Sequence, residues 1–331
     1  MNRAWSRIAE RLRQYVSRSS GLTATTDDIR FAYRLLLGRE PDDSGLKAFR
    51  GMLMTRSLTP PDIASAILGS DEFLGISQEK LPFVQIELPG RLMCLPNDDR
   101  DIAHEIKKNL RYEPGVEKGI HTILRAGSCF IDIGANLGYF SLLAASIVGE
   151  KGTILAVEPL DRNLQCLYAS VIANSFSQIC IYPYAAADKR CIVSLTTDPG
   201  TSNAQIMDSA ASSCNSIPQR ASGIALDQLF LNLSSVDLVK IDVEGMEPKV
   251  WFGMTKLLSR CRPAVIIEFH PEALRRVGAD PMSFLKQLQA YGAMSILHDD
   301  AAAEICYSCD CVWAQFKMSP NRTHVNLCLQ P

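Results

Sequence analysis

The sequence of 331 residues has no long hydrophobic run and little net charge. It contains no stretch of about eighteen apolar residues, so it predicts no transmembrane helix. Its first residues lack the apolar block and small-residue cleavage site of a signal peptide, and we therefore expect a cytoplasmic protein. A formal charge of -2 offers no basic surface, so no nucleic-acid partner is expected.

Signals for disorder and for a disulfide framework are also missing. The 47% hydrophobic and 21% charged content is typical of a packed globular protein. Most of the 11 cysteines are single and lie in apolar segments, as Cys129 and Cys166 do, which favours buried thiols in a reducing compartment. The exception is a cluster of Cys306, Cys309 and Cys311. Structural zinc needs four ligands and no second Cys or His pair is near, so we predict core packing on one strand face.

A glycine-rich turn after a buried strand is the strongest local signal. Residues 130–138 read FIDIGANLG, an apolar run with an acid, then a tight loop before an apolar helix. Gly134 allows a ligand to approach the backbone, and Gly138 allows the helix to pack closely on the strand. A second predicted strand, residues 152–157, ends in Glu158, whose carboxylate suits both hydroxyls of a ribose. Two neighbouring strand ends are therefore expected to hold one nucleoside.

The spacing of this loop separates two cofactors. A dinucleotide-binding loop reads G-x-G-x-x-G, whereas residues 132–138 read D-x-G-x-N-x-G, with Asp132 and Asn136 beside the glycines. Asp132 would repel a pyrophosphate, yet it suits the ammonium group of S-adenosylmethionine. We therefore favour this methyl donor over NAD.

In combination, these motifs resemble those of a known family. Residues 131–141 (IDIGANLGYFS), 157–159 (VEP) and 240–247 (KIDVEGME) resemble the FkbM-type methyltransferases, a class I S-adenosylmethionine-dependent family. The likeness runs from about Val84 to about Phe316. It implies an α/β fold with a Rossmann-like sheet of seven mostly parallel strands, the last antiparallel. It also implies methyl transfer, commonly to a hydroxyl of a sugar or glycosylated natural product, without fixing the acceptor.

The resemblance places further residues around the cofactor. It implies that residues 112–117 cover the methionine end, although Tyr112 and Glu113 also fit exposed turn positions. The small residues of 184–188 leave room for the adenine ring, and Asp188 either accepts its amino group or is a solvated turn acid. Residues 198–223 are rich in Ser, Asn, Gly and Ala without periodicity, which predicts a loop beside the acceptor.

Polar side chains follow two later strands, predicted at residues 236–241 and 264–267: Asp242 and Glu244 after the first, Glu268 and His270 after the second. For a hydroxyl acceptor, the candidate catalytic bases are Asp242, Glu244 and His270, in that order. In the alternative, Asp242, Glu244 and Glu268 offer oxygen ligands to Mg²⁺. Residues 294–297 and 309–316 are predicted to close the sheet as a hairpin.

Three units are expected along the chain. Residues 1–22 predict a basic amphipathic helix that either contacts an anionic membrane surface or docks on a protein. Residues 23–78 predict a small helical module, which resembles the phycobilisome-linker-like domain and assigns no chemistry; the words that carry this likeness are Tyr33 to Arg39 (YRLLLGR), Pro41-Asp42, Gly45 and Ser70 to Phe73 (SDEF). Residues 79–331 form the expected methyltransferase domain.

The expected function is methyl transfer from S-adenosylmethionine to a small-molecule or glycan hydroxyl. The alternative is a non-catalytic scaffold that keeps the cofactor pocket and presents a partner surface through its N-terminal helical module. Intact Asp132, Glu158 and Asp242 favour the enzyme.

Overall fold

The computed structural model describes residues 26–37, 39–55, 83–197, 204–207, 219–319 and 322–331, together with residues 58, 63, 66, 67, 70, 72 and 201. The predicted basic helix at 1–22 lies outside these residues. Within them, none of the helices has the length and apolar character that a membrane crossing requires.

Two helices of the N-terminal module share a small core. Helix α1 covers Thr26–Leu37 and helix α2 covers Asp43–Thr55. Their buried side chains include Ile29, Tyr33 and Phe49, and the Tyr33 and Phe49 rings meet edge to face at 6.0 Å. Apolar burial of this kind is what stabilises short helices, because helices of this length are marginal alone.

Residues that carry the likeness to the phycobilisome-linker-like domain contact one another in this module. Both carboxylate oxygens of Glu72 accept hydrogen bonds of 2.6 Å from Arg39, whose guanidinium lies 5.3 Å above the Tyr33 ring. Asp42 accepts from the Gly45 backbone N–H at 2.7 Å, and a Cβ on Gly45 would overlap the Tyr33 hydroxyl. The motif residues therefore hold the turn and helices together.

The rest of the described chain is an α/β arrangement. Its strands are β1 Phe83–Leu88, β2 Arg91–Pro96, β3 Cys129–Ile133, β4 Thr153–Val157, β5 Ile179–Tyr182, β6 Ala185–Ala187, β7 Cys191–Thr197, β8 Ala204–Met207, β9 Gln219–Ala225, β10 Leu238–Ile241, β11 Ala264–Phe269, β12 Ala293–Leu297, β13 Glu304–Cys306 and β14 Val325–Gln330. Its helices are α3 Ile102–Asn109, α4 Pro114–Ile123, α5 Tyr139–Val148, α6 Asp161–Asn174, α7 Leu226–Leu229, α8 Glu247–Phe252, α9 Thr255–Cys261, α10 Pro271–Arg276, α11 Pro281–Tyr291 and α12 Cys309–Met318.

The main sheet has eight strands in the order β13-β12-β14-β11-β10-β3-β4-β5. Strands β5, β4, β3, β10 and β11 run parallel, and β14 runs antiparallel between β11 and β12. This arrangement confirms the predicted fold class, a mostly parallel seven-stranded sheet with an antiparallel last strand. Strand β13 adds an eighth, antiparallel strand outside β12.

The predicted closing hairpin is wrong in its second half. Residues 309–318 form helix α12, not a strand, and β14 closes the sheet instead. Cys309, Val312, Trp313 and Phe316 recur at the spacing of a helix face, and the Trp313 and Phe316 rings lie 6.3 and 6.1 Å from Phe269. Cys309 and Cys311 therefore do not share a strand face.

The predicted loop at 198–223 contains two strands. Strands β8 and β9 pair with β6 and β7 in a second sheet of order β6-β9-β7-β8. Residues 198–200, 202–203 and 208–218 lie outside the described chain. This polar segment has no strand-like pattern of its own, and its strands form because they pair with β6 and β7.

Alternate residues of the main sheet enter two apolar layers. On β3, Ile131 and Ile133 belong to one layer and Phe130 to the other. The same alternation on β10 puts Leu238 in the layer of Phe130, and Lys240 follows it on that face. The charged side chain of Lys240 therefore lies on the face of the sheet that packs in the layer of Phe130.

Two neighbouring aromatic residues on α8 test this core. Trp251 is 7% exposed and packs edge-on against Tyr291 at 5.3 Å, whereas Phe252 is 68% exposed. Trp251→Ala should lower the free energy of unfolding by about 3–5 kcal/mol, since it leaves a cavity. Phe252→Ala should change it by less than about 0.5 kcal/mol in the same urea titration. Equal losses in both variants would contradict the packing described here.

Candidate active site

A cavity of about 500 Å³ opens at the carboxyl ends of β3, β4, β10 and β11. Eight of its lining residues are Asp or Glu, and Lys240 is the single Lys or Arg among the lining residues of the described chain. Strands of the second sheet complete one wall with Ala185, Ala186 and Leu195. A cavity with this excess of carboxylates favours a cationic ligand.

The loop after β3 forms the floor of the cavity. Gly134 has a positive φ of 75°, and a Cβ there would overlap the backbone carbonyl oxygen of Asp242. The N–H groups of Gly134 and Ala135 both donate to the Val157 carbonyl, at 2.9 and 3.1 Å. The loop is therefore bonded to the end of β4 and pressed against the end of β10, so only glycine fits.

Gly138 has a packing role next to the cavity. Its φ is 89°, and a Cβ would overlap the Leu167 side chain of α6. It does not line the cavity. The structure thus separates the two glycines of the motif, one at the ligand floor and one in the helix contact.

Glu158 is fixed between the two strand ends. Its Oε2 accepts from the Asn136 N–H at 2.9 Å, and its Oε1 accepts from the Leu160 N–H at 2.8 Å and the Asn163 amide at 3.3 Å. Burial raises the pKa of Glu158 to about 7, although these hydrogen bonds oppose the shift. Each carboxylate oxygen accepts up to two bonds. The carboxylate is thus oriented by the protein and keeps capacity for a hydroxyl.

Lys240 lies among carboxylates beneath the cavity. Its Nζ donates to Asp242 Oδ2 at 2.9 Å and lies 5.0 Å from the centre of the Phe140 ring. The strand register sets Lys240 beside Asp132, whose Oδ2 accepts from Ser141 at 2.6 Å. Burial would lower the pKa of Lys240, but Asp242 and Asp132 outweigh it, so the pKa lies above its usual value. Lys240 remains charged and compensates both acids.

Several carboxyl groups around Asp242 hold protons near neutral pH. Burial, followed by repulsion from Asp242, raises the pKa of Glu113 to about 7 and that of Glu244 to about 7. The same causes raise the pKa of Glu268 well above its usual value. One oxygen of Glu113 and one of Glu268 are buried without a protein partner. These atoms are available to a bound ligand.

Glu247 holds the turn that carries Glu244. Its Oε1 accepts from the N–H groups of Val243 at 3.0 Å and Gly245 at 3.2 Å. Glu244 itself has a positive φ of 54°, an uncommon conformation for a residue with a side chain. The buried carboxylate of Glu247 therefore stabilises a strained turn at the cavity wall.

Two histidines lie at the same wall. His270 accepts the Ala273 N–H on Nδ1 at 3.2 Å, which places its proton on Nε2 in the neutral ring. Burial, with His324 next, lowers the pKa of His270. The two rings stack at 6.2 Å, and His324 Nδ1 lies 3.7 Å from Glu268. His270 is arranged as a hydrogen-bond donor toward a ligand, not as a base.

The structure brings most of the predicted residues to one cavity. Gly134, Asn136, Glu158, Asp242, Glu244, His270 and Tyr112 all line it. Tyr112 packs against Tyr139 at 5.9 Å and Phe140 at 6.0 Å, so it is a wall of the site and not an exposed turn residue. Asp132 is buried and is not among the residues that line the cavity. Asp188 is half-buried and does not line the cavity either.

Sequence reasoning missed Lys240, Glu113 as a buried acid, and His324. The signal for Lys240 was present, because a lysine inside an otherwise apolar strand next to Asp132 must find a partner. His324 lies in a segment before β14 that the sequence did not predict as a strand. No local pattern marks such a residue.

The order of strands and the acidic cavity above the β3 loop define a class I methyltransferase fold. Residues 132–293 match the model of the methyltransferase FkbM domain. This match agrees with the family that the motifs resemble. The cofactor of this class is S-adenosylmethionine, in agreement with the prediction.

Solved structures of similar fold include a methyltransferase FkbM from Methylobacillus flagellatus, with 13% identity, coverage of 87% of this chain and 71% of that chain, and a TM-score of 0.39. An S-adenosylmethionine-dependent O-methyltransferase from Thermotoga maritima has 12% identity, coverage of 68% and 69%, and a TM-score of 0.38. Precorrin-6y C5,15-methyltransferase from Geobacter metallireducens has 12% identity, coverage of 67% and 92%, and a TM-score of 0.36. Among curated proteins, none matches the chain.

Removing the buried lysine should destabilise the protein strongly. Lys240→Met leaves Asp132 and Asp242 uncompensated, and we expect a loss of about 3–5 kcal/mol in the free energy of unfolding at pH 8. The loss should shrink as the pH falls to about 5, because the stranded acids become protonated. Lys249→Met, at an exposed position of α8, is the control and should change stability by less than about 0.5 kcal/mol. A loss independent of pH would contradict the charge argument.

Proposed function

We propose that this protein transfers the methyl group of S-adenosylmethionine to a hydroxyl of a sugar or glycosylated metabolite. The observation that carries the proposal is the cavity itself, in which eight acidic residues and one ion-paired lysine surround a glycine floor. A sulfonium ion with an ammonium group is a cation of the size and charge that such a cavity favours. The hydroxyl acceptor follows from the resemblance of the motifs to FkbM enzymes.

The residues fit the donor at both ends. The backbone at Gly134 forms a floor on which no Cβ fits, and Glu158 is held by three protein donors with capacity for one ribose hydroxyl. We assign the ammonium end to Asp242 and Glu113, with Tyr112 as the wall beside it. Asp132 acts on this end through Lys240, because it lies buried behind the lining.

We assign proton removal from the acceptor to Glu244. Its pKa of about 7 matches the working range of a general base. Asp242 already accepts a hydrogen bond from Lys240, and His270 presents an N–H. This order differs from the sequence-based one, in which Asp242 came first.

The chemistry needs little more than alignment and one base. The bound donor supplies an electrophilic methyl carbon. The protein holds the acceptor oxygen in line with it. Glu244 takes the hydroxyl proton while the carbon–oxygen bond forms and the sulfur–methyl bond breaks, so that S-adenosylhomocysteine leaves with the bonding electron pair; alignment alone is worth roughly 7–11 kcal/mol. The carboxylates of Asp242, Glu244 and Glu268 do not form a group whose ligand atoms all lie within 4.8 Å, so the described geometry favours the base over the Mg²⁺ assignment.

The affinity for the donor should rise with pH. Glu113 and Glu244 titrate near pH 7 in the free protein, and a cation binds their ionised forms better, so binding must release protons. We expect the affinity for S-adenosylmethionine to increase about tenfold from pH 5.5 to 8, with proton release visible by calorimetry in buffers of different ionisation enthalpy. S-adenosylhomocysteine, which lacks the sulfonium charge, should show a weaker dependence. Equal dependence for both ligands would contradict this assignment.

Glu244→Gln should separate binding from chemistry. We expect kcat to fall about 10²- to 10⁴-fold while S-adenosylmethionine still binds. Glu272→Gln, at an exposed position of α10, is the control and should retain activity. Turnover is measured as S-adenosylhomocysteine formed with sugars, nucleotide sugars and glycosylated phenols, and the methylated position is read by NMR. Near-normal turnover of Glu244→Gln beside an inactive Asp242→Asn would assign the base to Asp242.

The acceptor class is tested by the same panel. Products that are methylated on carbon or nitrogen would overturn the hydroxyl assignment but would still support the proposal of methyl transfer. Donor binding without turnover on any acceptor would favour the scaffold function of the sequence-based alternative.

A further inference from the structure

Two cysteines meet at the outer edge of the main sheet. Cys306 is the last residue of β13 and Cys311 is the third residue of α12, and their Sγ atoms lie 2.8 Å apart. Glu304 Oε1 lies 3.6 Å from Cys311 Sγ. Ligand atoms of Glu304, Cys306 and Cys311 all lie within 4.8 Å of one another, the single such group found in the described residues.

Strand periodicity explains why these groups converge. Glu304 and Cys306 are two residues apart on β13, so their side chains lie on one face. Ile296 of β12 pairs with Glu304, and His298 follows directly after the end of β12. His298 Nε2 lies 3.2 Å from Glu304 Oε2, whereas Glu304 Oε1 faces Cys311. The hairpin therefore brings a carboxylate to the thiol pair and an imidazole to the other oxygen of that carboxylate.

The carboxylate of Glu304 is oriented by its neighbours. Gln315 Nε2 donates to Glu304 Oε2 at 3.1 Å, and Arg322 donates to the Gln315 side chain at 3.0 Å. This leaves Oε1 on the side of the sulfur atoms. Bonding of this kind, outside the ligands themselves, is what fixes the direction of a metal-binding carboxylate.

The remaining cysteine of the cluster has a different environment. Cys309 Sγ contacts Gln289 Oε1 at 2.9 Å on α11 and does not join the group. A disulfide between Cys306 and Cys311 would explain the thiols but would leave Glu304 and His298 without a role. Core packing does not explain Glu304, because its side chain is 43% exposed and yet contacts Cys311 and Gln315. Two thiols, an imidazole and a carboxylate together are ligands that zinc prefers.

We propose that Glu304, Cys306, Cys311 and His298 bind one Zn²⁺ ion. On binding, each thiol loses its proton to solvent and each sulfur forms a bond to the metal, so two protons are released per ion. Zn–S bonds of about 2.3 Å require the two sulfur atoms to move about 1 Å apart. No oxidation or reduction is involved.

The ion would join the β12–β13 hairpin to α12. Asp299, next to His298, accepts the Gly115 N–H at 2.8 Å and lines the cavity. A Cβ on Gly115 would lie 2.9 Å from the His298 backbone carbonyl. The proposed site therefore supports one wall of the active-site cavity from behind.

Cobalt titration of the full chain, reduced and treated with a chelator, tests the site. We expect one equivalent of Co²⁺ with sulfur-to-metal charge-transfer absorption and tetrahedral ligand-field bands, displaced by Zn²⁺. Cys306→Ser and Cys311→Ser should lose the charge-transfer band, and Cys309→Ser, the matched control, should retain it. Zn²⁺ at about a hundredfold excess over its dissociation constant should raise the thermal midpoint of wild type and Cys309→Ser by about 5–10 °C.

Three results would overturn the proposal. One is wild-type protein that binds no stoichiometric metal while folded by circular dichroism. Another is loss of the band in Cys309→Ser with retention in Cys306→Ser. The third is an intact mass, without reductant, that shows Cys306 and Cys311 joined as a disulfide under conditions where excess Zn²⁺ is present.

Discussion

The pairing of one buried lysine with the acids of two neighbouring strands is the interaction on which the site depends. Strands β3 and β10 lie side by side, so Asp132 and Asp242 enter the same poorly solvated region. Two uncompensated carboxylates there would cost several kcal/mol each. Lys240 removes that cost, and its Nζ lies 5.0 Å from the centre of the Phe140 ring, so the charge is held in a nearly fully buried position. The end of β10 can then press against Gly134 and form the floor.

One lysine does not neutralise the whole cavity. The acids farther from Lys240 respond to burial by keeping their protons, which is why the pKa of Glu113 and of Glu244 is raised to about 7. With these carboxyl groups protonated, the cavity is stable without a ligand. It attracts a cation once the carboxyl groups lose their protons. The turn at Glu244 is strained and is held by Glu247, so the protein keeps the carboxyl group of Glu244 fixed at the cavity wall.

The sequence identified the part of the cavity lining that depends on local chemistry. A glycine is required where the backbone turns tightly, and an acid at a strand tip is conspicuous after an apolar run, so Gly134 and Glu158 were identifiable. The misplaced elements depend on distant partners. Strand β8 exists because β7 pairs with it, and α12 was misread because Cys309 and Cys311 fit a two-residue period as well as a helical one. Glu113 is buried by tertiary packing that no local pattern records.

Two parts of the cavity lining differ in how firmly they are tied to the fold, and this difference bears on acceptor specificity. One part of the cavity lining comes from strand ends of the central parallel sheet, whereas another part comes from the second sheet, including Leu195, and from His324 before β14. The central strands are tied by register on both sides, so changes there disturb the fold as well as the cavity. In the described chain the second sheet pairs with none of the strands of the central sheet, so its residues can change with less effect on stability. Differences in acceptor among methyltransferases of this architecture are therefore expected to arise in this wall, while the lysine and its acids stay constant.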